Sequence, residues 1–248
     1  MGKCIQTRMD ENEIAVLKMN DEQGGNALGK EFMEELTRAF DDLRDRGPKV
    51  LILQGLPNVF SPGGSKEILM DICRGSVAAV ELPIPEKLLD LPFPVIAAME
   101  GYAVGGGLAL ALCSDIVIAA RESRYGATFA SLGLTPGLGC TALLAEMVGP
   151  FLAAEMMFTA RTFRGSELAE RATNINYIVA RNEVMPLAER LALRIADKDK
   201  EIIRMIKVAL AARKKALLPE ARLREDMMHR LCIANPDTRA RIERYCLK

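Results

Sequence analysis

Gly101-Tyr-Ala-Val-Gly-Gly-Gly107, taken with Phe60-Ser-Pro-Gly-Gly-Ser65, decides how this chain folds. Each stretch is a glycine-rich turn at the end of an expected strand, and Gly101–Gly107 opens directly into an apolar helical run. Glycine lets backbone N–H groups approach a ligand with no Cβ in the way. Two such turns can aim two amides at one carbonyl oxygen, forming an oxyanion hole. A helix starting behind one turn adds its positive end at the same spot. The pair points to chemistry through an enolate or another developing oxyanion, without a metal. Tight turns and close helix–sheet packing are the plain alternative for any single glycine among them.

Working outward, Pro94-Val-Ile-Ala-Ala-Met99 before the second turn and Val50-Leu-Ile-Leu-Gln54 before the first read as short buried strands. Ile14–Met19 and Ile116–Ala120 read the same way. Phe32, Leu36, Phe40 and Leu43 recur on one face of a helix over 30–45. Residues 66–90 are helical in part, interrupted by Gly75, Pro83 and Pro85, as in a lid or wall. Helices are expected from about 105 to 113, over 140–158 as one element, and over 165–172. A short strand is expected over 175–179, loop-rich chain over 123–139, and almost continuous helix from 182 onward. Strand–turn–helix repetition followed by helices gives an α/β class. The expected division is a core at 1–190 and a helical region at 191–248.

Composition removes several classes. The chain has 248 residues, half of them hydrophobic, and a formal net charge of zero. No basic excess points to nucleic acid. The cations of the C-terminal third alternate with acids, as on a solvated helix surface. The apolar stretch 94–113 is interrupted by Glu100 and glycines, which argues against a membrane span. The N-terminus shows no apolar signal core. The six cysteines (Cys4, Cys73, Cys113, Cys140, Cys232 and Cys246) form no CxxC pair or metal-ligand spacing. Reduced thiols in a cytoplasmic protein, with no metal and no cofactor, are expected.

Together with Ser114-Asp-Ile-Val-Ile118 and Gly133-Leu-Thr-Pro-Gly137, the two glycine turns resemble the crotonase (enoyl-CoA hydratase/isomerase) superfamily over roughly residues 12–215. The resemblance implies a spiral of ββα units with a helical C-terminal region that trimerises. It implies binding of acyl thioesters and stabilisation of their enolates. By position, the oxyanion-hole amides would be those of Gly64 and Gly106. Hydratases of the family carry a glutamate just after the glycine triplet, where this chain has Ala109. They carry a second where it has Phe129. Adding water across a double bond needs a positioned acid/base, so hydration is not expected.

A narrower resemblance rests on Phe60–Glu67, Pro94–Tyr102, Gly133–Gly137, Phe163-Arg-Gly-Ser-Glu-Leu-Ala-Glu-Arg171 and Met227-Met-His229. These stretches look like the polyketide β-branching decarboxylases. Members of that subgroup remove carbon dioxide from a 3-methylglutaconyl thioester on an acyl carrier protein. His229, the single histidine, matches the subgroup's functional histidine. Imidazole can orient a carboxylate or pass a proton near neutral pH. The subgroup's lysine is missing: its place falls on Ile72 or Ala78. Among the nearby cations Lys66, Arg74 and Lys87, Arg74 is the candidate partner for a substrate carboxylate. Thr128 and Tyr125 are candidate local polar groups. Phe129, Leu132, Leu134 and Leu138 are expected to line or back an acyl pocket, whose dryness would favour loss of charge from a carboxylate. Lys207, Arg213, Lys214 and Lys215 are candidates for meeting an acidic carrier. Two other readings stay open: an acyl-CoA isomerase or hydrolase, and a non-catalytic binding member.

Overall fold

The computed structural model describes residues 4–78 and 81–245. Two sheets share the chain. The larger takes β1 (Ile5–Met9), β2 (Ile14–Met19), β3 (Val50–Gln54), β5 (Val95–Met99), β7 (Ile116–Ala120) and β10 (Tyr177–Val179), hydrogen-bonded in that order. The smaller takes β4 (Val59–Ser61), β6 (Tyr102–Val104), β8 (Arg124–Gly126) and β9 (Phe163–Arg164). The chain gives one strand to each sheet in turn: β3 then β4, β5 then β6, β7 then β8. The helix α2 (Lys66–Arg74) follows the first pair and α4 (Gly106–Cys113) follows the second. This is the ββα spiral. Among the described strands, only β1–β2 and β8–β9 pair antiparallel.

Parallel strands covered on both faces read as continuous apolar runs rather than alternating ones. That is why Val50–Leu53 and Val95–Met99 are buried throughout. Alternate side chains still part to opposite faces. Leu51 and Leu53 join the main core, with Phe32, Leu36, Phe40 and Leu43 of α1 (Lys30–Arg46). Val50 and Ile52 join a second core on the far face. There α8 (Arg181–Ala196) lays down Val184, Ala188, Ala192 and Ala196, one residue per turn. The small side chains bring that helix close to the sheet.

Several stretches differ from the sequence expectation. The segment 140–158 is two helices, α5 (Cys140–Val148) and α6 (Pro150–Thr159). Gly149 sits at φ +85° between them, and Pro150 begins the new helix, where its missing N–H costs nothing. The segment 123–139 is more regular than expected: it holds β8 and a 3-10 turn over Thr128–Leu132. Between Gly75 and Asp90, α3 (Ile84–Leu89) forms with Pro85 in its first turn. The short α7 (Gly165–Glu170) lies where a helix over 165–172 was expected. The C-terminal helices are α8, the 34-residue α9 (Lys200–Ile233) and α10 (Pro236–Tyr245). α9 packs on α5, and α10 folds back on α2 and the 3-10 turn. No helix among the described residues is long and apolar enough to cross a membrane.

Candidate active site

The two glycine turns meet. A Cβ on Gly63 would stand 3.0 Å from the Val104 carbonyl oxygen and 3.1 Å from the Gly106 nitrogen. Gly63 has φ +89°, a conformation that favours glycine. The first turn is pinned by Asn26, fully buried, whose Nδ2 donates to the carbonyls of Met19 (3.1 Å) and Phe60 (3.2 Å). Ser61 Oγ donates back to the Asn26 carbonyl at 2.8 Å. Leu28 lies against this turn: its N–H donates to Gly63 O (2.7 Å), and its carbonyl accepts from Ser65 N (3.3 Å). The Gly64 N–H takes no backbone partner in that bridge, and Gly106, the first residue of α4, has an N–H that no preceding turn of helix can use.

Gly64 and Gly106 line one cavity. Its walls come from Leu28, from Ile68, Leu69 and Ile72 of α2, from Leu82, and from Phe129, Leu134, Gly137 and Leu138. His229 of α9 completes it and is the one ionisable side chain among the described residues lining it. No carboxylate among the described residues lines it. At the two family glutamate positions, Phe129 forms part of the wall and Ala109 is buried in α4.

His229 is 6 % exposed. Its Nε2 lies 2.9 Å from the Thr135 carbonyl oxygen. A carbonyl only accepts, so this contact selects the tautomer protonated on Nε2, leaving the Nδ1 lone pair. Nδ1 is buried and has no hydrogen-bond partner. Burial pulls the imidazole below its ordinary value, opposed by the Thr135 contact and by the charges of Glu225 and Asp226. The resting ring is neutral at pH 7.

Of the sequence candidates, the structure gathers His229, Gly64, Gly106, Phe129, Leu134 and Leu138 on this cavity. Thr128 stands one step behind it, its Oγ1 3.9 Å from where a Gly105 Cβ would be. Leu132 packs instead with Met70, Leu134 and Ile242. Arg74 is not brought to the cavity: it ends α2, exposed, 3.6 Å from Asp71. Tyr125 is spent in the core, where its hydroxyl accepts from Ala120 N (2.8 Å) and donates to Met99 O (3.0 Å). Of the two places for the missing lysine, Ile72 lines the cavity and Ala78 does not. Lys87 pairs with Asp41.

The expected carrier-facing cations are all engaged within the chain. Lys207 is 3 % exposed and pairs with Asp115 at 2.7 Å. Lys214 donates to the carbonyls of Leu112 (2.8 Å) and Ser114 (2.6 Å) at the end of α4, and burial lowers its ammonium's pKa. Arg213 pairs with Glu146 and Lys215 with Asp90. A helix-face reading of the sequence could not see that α9 is tucked against α3 and α5. Burial pushes the Cys113 thiol up to about 12, so it is no nucleophile at neutral pH. Sequence reasoning did not name Leu28, Ile68, Leu69, Leu82 or Gly137 as lining residues, and named Ile72 only as a place for the missing lysine. Only Ile68 and Ile72, four apart on α2, carried a readable signal.

Residues 9–248 match the enoyl-CoA hydratase/isomerase family. The chain belongs to that family. This crotonase chain is 35 % identical over 234 residues to the bacillaene synthase decarboxylase PksI of Bacillus subtilis (strain 168), covering 94 % of each. It is 32 % identical to a probable enoyl-CoA hydratase, echA8, of Mycobacterium leprae, covering 86 % of this chain and 83 % of that one. Among solved structures, it superposes with a TM-score of 0.93 and 34 % identity on a member of a dehydratase/decarboxylase enzyme couple involved in polyketide β-branching, covering 97 % of this chain and 95 % of that one.

Proposed function

We propose that this crotonase-family protein decarboxylates a 3-methylglutaconyl-type thioester on an acyl carrier protein. The product is a 3-methylcrotonyl-type thioester, leaving a methyl branch. The observation that carries the reading is a cavity holding Gly64, Gly106 and His229 with no carboxylate among the described residues on its wall. Water addition lacks both family glutamates there, whereas decarboxylation needs a proton donor only after carbon dioxide has left, a role His229 can fill. Similarity to PksI and to the β-branching structure supports the same choice.

In this reading the Gly64 and Gly106 amides bind the thioester oxygen. The bond between the terminal carboxylate carbon and C4 breaks, and its electron pair spreads through the double bond onto that oxygen as a dienolate. Bringing the substrate carboxylate into an apolar cavity raises the basicity of His229. Nδ1 then takes a proton from solvent and holds the carboxylate as an imidazolium. After carbon dioxide leaves, that proton goes to C4. Arg74 could reach the carboxylate only after moving from Asp71. Thr128, behind Gly105, is a further polar group in the proposal.

Similarity to a hydratase favours a second reading, a CoA thioester as substrate. Paired assays separate the two: carbon dioxide release from a carrier-bound substrate, from its CoA analogue, and hydration of crotonyl-CoA. The proposal expects the first to be fastest and the third absent. A homotrimer belongs to the same reading. Phe151 and Phe158 of α6 and Leu210 and Leu231 of α9 are more than two-thirds exposed, which suits burial against further copies. Sedimentation should give a multiple of the 27.2 kDa chain.

A further inference from the structure

The loop 135–141 carries Gly137 and Leu138 to the cavity wall. Leu138 holds φ +59°, and Gly139 behind it φ +80°. A left-handed leucine costs roughly 1–3 kcal/mol and persists only where its surroundings fix it. Leu138 Cδ1 lies 3.1 Å from where a Gly106 Cβ would stand, so its placement bears on the second glycine turn.

α9 grips this loop at both ends. At one end is His229 on the Thr135 carbonyl. At the other is Glu225, one turn earlier on the same helix and 2 % exposed. Its Oε2 accepts from Gly139 N at 2.8 Å. Its Oε1 accepts from Thr141 N at 2.8 Å and Thr141 Oγ1 at 2.7 Å. Gly139 is the cap position before α5 and Thr141 its second residue, and no Gly139 side chain caps the helix. The carboxylate therefore satisfies orphan amides at the positive end of that helix from across the fold. A buried carboxylate is costly unless its oxygens are bonded, and here the two oxygens take three donors from this loop.

We infer that Glu225 is a positioning residue: it fixes the 135–141 loop and, through it, Leu138 against Gly106 and the Thr135 carbonyl under His229. The inference assumes that the cavity is the site proposed above, but its test needs no substrate, so failure of the decarboxylase reading leaves it standing.

The chain has one histidine, so a single imidazole signal in NMR reports His229. The charges acting on the ring are Glu225 and Asp226, and Asp226 is paired with Arg230 at 3.0 Å. From the packed elements, α2 presents the Cys73 thiol, α10 presents Arg239 towards it, and Arg241 lies against Gly133. In Glu225→Gln, which keeps size but loses the charge and one acceptor, the His229 midpoint should move to lower pH. The Gly139 and Thr141 amides should exchange faster. Thr141→Val, which removes only the hydroxyl bond, should fold and speed exchange at Gly139 without moving the midpoint. If Glu225→Gln fails to fold, Glu225→Asp takes its place, with the same amide exchange and a broadened ring signal expected. An unchanged ring signal, midpoint and amide exchange in a folded Glu225 variant, with only a lowered Tm, would make Glu225 merely structural and overturn the inference.

Discussion

Gly107 sits against the backbone of Ser61: a Cβ there would lie 2.2 Å from the Ser61 carbonyl oxygen. This contact clamps α4, which begins at Gly106, onto β4, which leads to Gly64. The spacing between the two candidate amides is thus set by a glycine that binds nothing. Gly107→Ala cannot be absorbed by a flexible side-chain end, because the obstacle is backbone. It should cost about 3 kcal/mol or more. Denaturant unfolding should show the loss, and whatever folded protein remains should be nearly inactive.

Gly106 tests the amide itself. It is the first residue of α4, where proline is tolerated. Gly106→Pro removes the N–H and sets a ring carbon in its place. Turnover should fall by at least about 10²-fold, the scale of losing one oxyanion donor, with a much smaller change in Tm than for Gly107→Ala.

His229 links stability to pH with a definite sign. Its folded value is depressed by burial, so between the folded value and the ordinary one, about 6.5, the unfolded chain binds the extra proton. The ring's contribution is therefore complete above about pH 6.5 and is lost as pH falls towards the folded value. Ring NMR should give a midpoint below that of an exposed histidine. His229→Ala should flatten part of the acid-side decline in Tm.

The Lys207–Asp115 pair anchors α9 to the start of β7. Asp115 also accepts from Val95 N at 2.8 Å, tying β5 to the pair. Lys207→Ala would strand a carboxylate that lies only 21 % exposed. A loss of about 3 kcal/mol is expected, as for breaking a buried pair. Lys207→Ala with Asp115→Asn should recover part of it.

The sequence made the frame legible where its signal was local and periodic. The apolar face of α1 and the unbroken runs of β3 and β5 were readable, and the family resemblance implied Gly64 and Gly106, which the fold brings to one cavity. It failed where pairing alone defines an element. β1 has four of five residues exposed and no apolar alternation. β4, β6 and β8 are three residues each, too short for a period. Apolar composition ran across Gly149-Pro150 and hid the break between α5 and α6. On the charge-rich α9, Lys207 and Glu225 look like any solvated cation and acid. Only long-range contacts, Lys207 with Asp115 and Glu225 with the start of α5, show that they are buried, and only the fold shows that Arg74 faces Asp71 rather than the cavity.

The most direct measurement is intact mass spectrometry of acyl carrier protein loaded with a 3-methylglutaconyl group, incubated with the wild-type chain and with His229→Ala. The account predicts loss of the mass of carbon dioxide with wild type, strongly slowed in the variant. An unchanged mass with wild type, when both proteins are folded, would contradict the decarboxylase assignment.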